Sequence, residues 1–236
     1  MEIIKATDIS QNSYTYLIYG NQGIGKTSSL KYLPGKTLVI DVDKSSAVLA
    51  GEENIDITTI DTSDAWASWN KLASEIIENK KQIEETYDNL VLDNVTELFR
   101  ANLENLGKLG KNQGVPSMAD YQKVDFLIMR AIRVLKSMNI RLVFTAWEKT
   151  DEYTSENGQT FNRAFPDLRN GIANNFMGLC DVIARLVVTK RNDERVLGFI
   201  LQPQADVMAK NRLDNRAGCL VDELFVKKGD KNNGNV

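Results

Sequence analysis

Gly20-Asn21-Gln22-Gly23-Ile24-Gly25-Lys26-Thr27 is the stretch on which the reading of this 236-residue chain turns. It fits the pattern GxxxxGK(S/T) at every fixed position. An apolar and aromatic run, Tyr14–Tyr19, precedes it. A predicted helix over Thr27–Leu33 follows, ended by Pro34-Gly35. Glycines in such a turn let consecutive backbone N–H groups curl around phosphate oxygens, and a helix N-terminus adds partial positive charge. Gly20, Asn21, Gln22, Gly23, Ile24, Gly25, Lys26, Thr27 and the following Ser28 therefore form a predicted triphosphate cradle. Lys26 is placed to reach the β- and γ-phosphates and the Thr27 hydroxyl to ligate Mg²⁺, so ATP and Mg²⁺ are the implied ligands.

Working outward, apolar runs alternate with helical patterns. Thr37–Val42, Ile55–Ile60, Asn89–Leu92 and Ile140–Trp147 read as strands. Ser63–Glu78 sets Trp66, Trp69, Leu72, Ala73, Ile76 and Ile77 on one face at helical spacing. Helices are also expected over Thr96–Leu106 and Met118–Met138, with a loop over Gly107–Pro116 between them. Lys149–Gly171 reads as a long polar loop, and long loops of this kind carry function. Asp181–Thr189 and Arg195–Gln202 read as a hairpin around Lys190–Glu194. This order predicts an α/β fold: a P-loop NTPase core with a mostly parallel sheet flanked by helices and a C-terminal antiparallel hairpin. One domain is expected over 1–226, and a disordered tail over 227–236.

Composition removes several classes. The chain has no histidine, which excludes His-based triads, His metal sites and a histidine pH switch. The formal charge is −3, so a nucleic-acid site must be a local patch. Cys180 and Cys219 alone cannot build a zinc site and read as small hydrophobes in a reducing compartment. Neither a signal peptide nor a bilayer-length apolar run is visible, which implies a cytoplasmic protein without a membrane partner.

A P-loop needs an acid to support its cation. Asp93, closing the strand Asn89–Leu92, is the best placed and is the Walker B candidate alongside Thr27 for Mg²⁺. The next residue, where many motors carry a water-orienting glutamate, is Asn94. Asp43, just past Thr37–Val42, is the leading substitute carboxylate, because a parallel neighbour brings it to the same sheet edge. Asp41, nearer the strand interior, reads as structural.

The order of P-loop, Ile40-Asp41-Val42-Asp43, Leu92-Asp93-Asn94 and a late Ala209-Lys210-Asn211-Arg212 resembles the RecA-type recombinase core. More closely it resembles the small nucleotide-binding proteins of phages of Gram-positive hosts, a RecA-like branch of the phage single-strand-annealing group. The likeness spans about residues 14–220. It implies a slow, DNA-stimulated ATPase that binds single-stranded DNA and promotes annealing or recombination. It also implies a homo-oligomer, filament or ring, with ATP at the subunit interface, and a single-strand-binding protein as a partner. In that likeness Asp43 activates water, and Lys210 and Arg212 reach the neighbour's triphosphate. Two stretches match DNA loops: Gly107–Ser117 with Lys108 and Lys111, and Lys149–Gly171 with Lys149, Phe161, Arg163, Phe165 and Arg169. Asp151, Glu152, Glu156 and Asp167 oppose that charge. Trp147-Glu148 falls where RecA has a glutamine that links nucleotide state to DNA state. Two alternatives stand beside this reading. One is an AAA+-type helicase loader or DNA-processing motor, disfavoured by Asn94. The other is a nucleotide-dependent switch with little hydrolysis.

Overall fold

The computed structural model describes Lys5, residues 13–191 and residues 194–225; the tail expected over 227–236 lies outside the described residues. Strand β1 (Thr15–Gly20) is buried at every position. Such uniform burial is what a strand inside a parallel sheet covered on both faces requires. It runs parallel to β5 (Arg141–Thr154) on one side and β7 (Val182–Arg191) on the other. Beyond β5 come β4 (Asn89–Asp93), β2 (Thr37–Asp41) and β3 (Ile55–Thr59), all parallel. Beyond β7 come β8 (Glu194–Ile200) and the short β10 (Gly218–Leu220), both antiparallel. The α/β fold read from the sequence, a mostly parallel sheet with a C-terminal antiparallel hairpin, is the fold observed.

Alternation along the strands sorts the core into two layers. Leu17, Tyr19, Ile40, Leu92 and Phe144 face one side, against α2 (Ala65–Glu78), α4 (Val95–Leu109), α5 (Met118–Lys136) and α6 (Asn170–Leu179). Tyr16, Ile18, Val39, Val91 and Val143 face the other, against Leu30, Leu49, Phe199, Leu224 and Phe225. Each fully buried Leu, Ile or Phe contributes about 1.5–3 kcal/mol relative to exposure. Helix α4 starts at Asn94, whose side chain accepts from Glu97 N–H; α5 starts with a capping box between Ser117 and Asp120.

The register fixes the functional edge. Gly20 pairs with Trp147, and Asp41 with Asp93, so the loops after β1, β2, β4 and β5 meet at one end of the sheet. Ligands bind at that end in open α/β sheets.

Four expectations change. The Lys149–Gly171 loop is a β-hairpin: β5 continues to Thr154 and pairs antiparallel with β6 (Thr160–Pro166), from Glu148↔Pro166 to Thr154↔Thr160. Its polar residues occupy both faces, so no apolar alternation announces it. The available signal is Asn157-Gly158 at the turn, where Gly158 has φ +82°. The helix after the P-loop is short, α1 (Lys26–Ser29), and tightens to a 3₁₀ turn over Leu30–Tyr32. Helices α3 (Lys80–Thr86) and α6 escaped the sequence reading, as did β10 and the two-residue β9 (Lys210–Asn211), which pairs with β7. Asn and Gly make α6 a poor helix by propensity, and burial of Ile172, Ala173, Phe176 and Met177 overrides that. Finally, Cys180 is buried as expected, whereas Cys219 is half-buried.

Candidate nucleotide site

The loop between β1 and α1 has a backbone that glycine alone adopts without strain: φ is +72° at Gly23 and +110° at Gly25. A Cβ on Gly23 would meet nothing within 4 Å, so the loop is open on that side, as a phosphate cradle must be. The Lys26 ammonium donates to the carbonyls of Gly20 at 3.0 Å and Asn21 at 2.9 Å, which holds it across the loop. Burial lowers the Lys26 pKa, and the nearby carboxylates of Asp93, Asp43 and Glu148 oppose that drop.

Asp93 ends β4 at 2% exposure. Its Oδ2 accepts the Thr27 hydroxyl at 2.7 Å, and its Oδ1 accepts the Thr145 hydroxyl. Burial pushes its carboxyl pKa up, while these two donors pull it down. The Ser45 hydroxyl stands 3.2 Å from that of Thr27. Asp41 is the structural acid expected: its carboxylate accepts Ser45 N–H at 3.2 Å and Ser46 N–H at 3.0 Å, pinning the turn after β2. That turn projects Asp43, whose Oδ2 accepts from the Asn94 amide at 2.5 Å.

Together these residues line a cleft of about 400 Å³, shared by Lys26, Thr27, Asp43, Asp93, Asn94 and Trp147 among others. The donor set fits Mg²⁺ bound with a triphosphate. Among the described residues no cluster of three Asp, Glu, Cys or His could hold a cation. A cation at Thr27 and Asp93 would therefore take further ligands from phosphate and water, which is the habit of Mg²⁺. Sequence reasoning missed Ser45, Thr145 and Trp147 as site residues. Thr145 carries only a strand pattern, and Trp147 is marked only by its place in the RecA likeness. They enter the site because β5 lies between β1 and β4.

The remaining predicted residues divide by what engages them. The Lys210 ammonium donates to the carbonyls of Met177 at 3.1 Å, Gly178 at 3.4 Å and Cys180 at 2.5 Å, closing the C-terminal end of α6. All three of its protons are thus engaged within its own protomer. Arg212 is exposed, with no side-chain partner among the described residues. Arg169 is also engaged: it forks onto Asp125 at 3.0 and 3.1 Å and lies 4.3 Å from the Tyr121 ring centroid, so it holds the hairpin base to α5. Lys108 sits on the last turn of α4 in a surface pair with Glu104 at 2.5 Å, and Lys111 is exposed in the loop that follows.

The hairpin changes how the other candidates relate. Lys149 pairs with Phe165, Asp151 with Arg163, and Tyr153 with Phe161, so all six occupy one face by strand alternation. On it the Arg163 guanidinium lies 4.7 Å from the Tyr153 ring centroid and 5.9 Å from that of Phe165. Lys149 pairs with Asp151 at 3.0 Å and donates to Asn170 at 2.8 Å. Glu148, on the opposite face, forms a fork with Arg185 of β7 at 2.8 and 2.9 Å.

A family described as an AAA domain matches residues 12–213 of this sequence. The chain belongs to that family. No curated protein matches it. The AAA domain brings with it a nucleotide-binding P-loop ATPase, in agreement with the cradle at Gly20–Thr27. Asn94 after Asp93 therefore does not take the chain out of the AAA class. The carboxylate that Asn94 lacks stands beside it, at Asp43. No helix among the described residues is long and apolar enough to cross a membrane.

Proposed function

We propose that this AAA domain is a Mg²⁺-dependent ATPase that acts on single-stranded DNA as a homo-oligomer, in annealing or recombination during phage DNA metabolism. The observation that carries the ATPase part is the convergence of Lys26, Thr27, Asp93 and Asp43 on one cleft. Lys26 and the loop N–H groups hold the phosphates, and Thr27 and Asp93 would hold Mg²⁺. When bound, the cation neutralises charge on the phosphate oxygens. Asp43 orients the attacking water and takes its proton. Arg212, exposed and unengaged, is the cation suited to a neighbouring subunit's triphosphate.

The DNA part is supported by the hairpin face, where Tyr153, Phe161 and Phe165 alternate with Lys149 and Arg163. Aromatic rings accept stacked bases and cations follow the phosphates. ATP turnover with and without single-stranded DNA, across a salt series, tests the proposal. Stimulation that fades with salt is expected, because counterion release weakens phosphate contacts as salt rises. DNA-independent turnover would refute the DNA part.

A second reading is a helicase loader or DNA-processing motor, favoured by the AAA-domain match. It predicts ATP-driven loading or movement on DNA and no ATP-dependent annealing. A nucleotide switch, the third, predicts tight ATP binding with negligible turnover in the presence of DNA.

A further inference from the structure

Asn94 has two side-chain bonds, and each constrains the other. Its Oδ1 accepts Glu97 N–H at 2.7 Å, and its Nδ2 donates to Asp43 Oδ2 at 2.5 Å. A backbone N–H can only donate, so Oδ1 must face α4 and the NH₂ group must face Asp43. The amide is therefore locked from the helix side. Asn94 itself is 1% exposed. Asp43 is the opposite case. It is exposed and is followed by Lys44 at φ +59°, on a turn held before it by the Val42 N–H bond to the Asp93 carbonyl and after it by Asp41. An untethered exposed carboxylate samples several rotamers, and placing it costs conformational entropy at each turnover.

We infer that Asn94 is a positioning residue for ATP hydrolysis: it fixes the Asp43 carboxylate toward the attacking water. The inference rests on the ATPase reading above and supplies what the missing glutamate leaves open. The carboxylate and its support are divided between two strand ends, Asp43 after β2 and Asn94 after β4. Asn94 occupies Oδ2 and leaves Oδ1 with lone pairs for water. In the step, the water oxygen bonds to the γ-phosphorus, the bond from that phosphorus to the β–γ bridging oxygen breaks, and ADP departs. The water proton passes to Asp43 Oδ1. Helix capping alone does not account for an amide here, since Ser or Thr caps α4 comparably. A hydroxyl can both donate and accept, but its single oxygen, one bond nearer the backbone, has to serve both partners that the amide reaches with two separate atoms.

The test uses Asn94→Ser and Asp43→Ala, singly and combined, in the full chain, with Asn94→Thr as a second cap-competent variant. Steady-state kcat and KM for ATP are measured, with Mg·ADP affinity by calorimetry. Asn94→Ser is expected to lower kcat by about ten- to a hundredfold, with KM and Mg·ADP affinity within about twofold. In the Asp43→Ala background the same change is expected to have no further effect on kcat, because Asn94 acts through Asp43. Multiplicative losses in the double variant, or a raised KM with unchanged kcat, would overturn the positioning role while leaving the ATPase reading standing. No turnover by the wild type would overturn both.

Discussion

The Thr27 hydroxyl donates a 2.7 Å hydrogen bond to Asp93 Oδ2, joining the first turn of α1 to the end of β4. This bond links the phosphate loop to the acid that supports it, and it offsets part of the cost of burying that acid. Asp93 is buried, and burial pushes its carboxyl pKa above the ordinary value. The folded protein thus keeps this proton to higher pH than the unfolded chain does. Stability falls as pH rises from the ordinary Asp value, about 4, and the penalty is complete above the raised value. Asp93→Asn removes the charge and keeps partners for both hydroxyls. In urea titrations without nucleotide, the variant is expected to equal the wild type near pH 4. It should become progressively more stable than the wild type as pH rises to 8. Its Mg·ATP-dependent stabilisation should vanish. Equal stability at every pH would show that Asp93 carries no such strain.

Lys26 is the second buried charge at this edge, held across the loop by the Gly20 and Asn21 carbonyls. Lys26→Ala removes the cation aimed at the β- and γ-phosphates. Turnover is expected to fall by at least about a hundredfold, the usual cost of deleting one preorganised donor to developing charge. Circular dichroism should be unchanged, because the substitution removes side-chain bonds and leaves the strand and helix ladders intact. Normal ATP hydrolysis by this variant would remove the phosphate-site assignment.

The strand–loop–helix core was legible because its signals are local. The P-loop pattern, the apolar runs at β1, β2 and β4, and the carboxylates at strand ends each sit within a few residues. What stayed hidden depends on distant pairing. Nothing in Thr145 marks a site; parallel pairing of β5 beside β1 and β4 makes it part of one. The polar hairpin hid for a related reason: strand patterns are read from burial, and β5 beyond Trp147 leaves the core. Lys210 and Arg212 read alike in sequence, yet they meet different surroundings. Lys210 lies on the two-residue β9 with its ammonium on the end of α6, and Arg212, just past that strand, is exposed.

Lys210 and Arg212 therefore make separable predictions. Lys210→Ala uncaps three carbonyls at the end of α6 and should cost about 1–2 kcal/mol of stability, seen as a lower urea midpoint. Arg212→Ala should leave stability within about 0.5 kcal/mol, as exposed substitutions usually do. If Arg212 completes a neighbour's site, its loss should abolish turnover, and mixing Arg212→Ala with Asp43→Ala protein should restore part of it. Where the Arg212→Ala protomer supplies Asp43 and its Asp43→Ala neighbour supplies Arg212, the mixed interface holds a complete site. No recovery in mixed oligomers would argue against an in-trans cation.

The hairpin gives the sharpest test of DNA binding, because its two faces are chemically different. One carries Tyr153, Phe161, Arg163 and Phe165; the other carries Thr150, Glu152, Asn162 and Thr160. Base stacking on an aromatic is worth about 1–3 kcal/mol. Phe165→Ala and Tyr153→Ala are therefore each expected to weaken single-stranded DNA binding by about 5- to 150-fold with little change in salt dependence. Arg163→Ala removes a phosphate-seeking cation as well as a stacking partner, so it should weaken binding and also flatten the salt slope by about one unit. Asn162→Ala and Thr160→Ala, on the far face, should leave affinity unchanged. Fluorescence anisotropy with a labelled oligonucleotide across a salt series reads all of these. Equal effects from the two faces would mean that the hairpin does not present bases with a stacking surface.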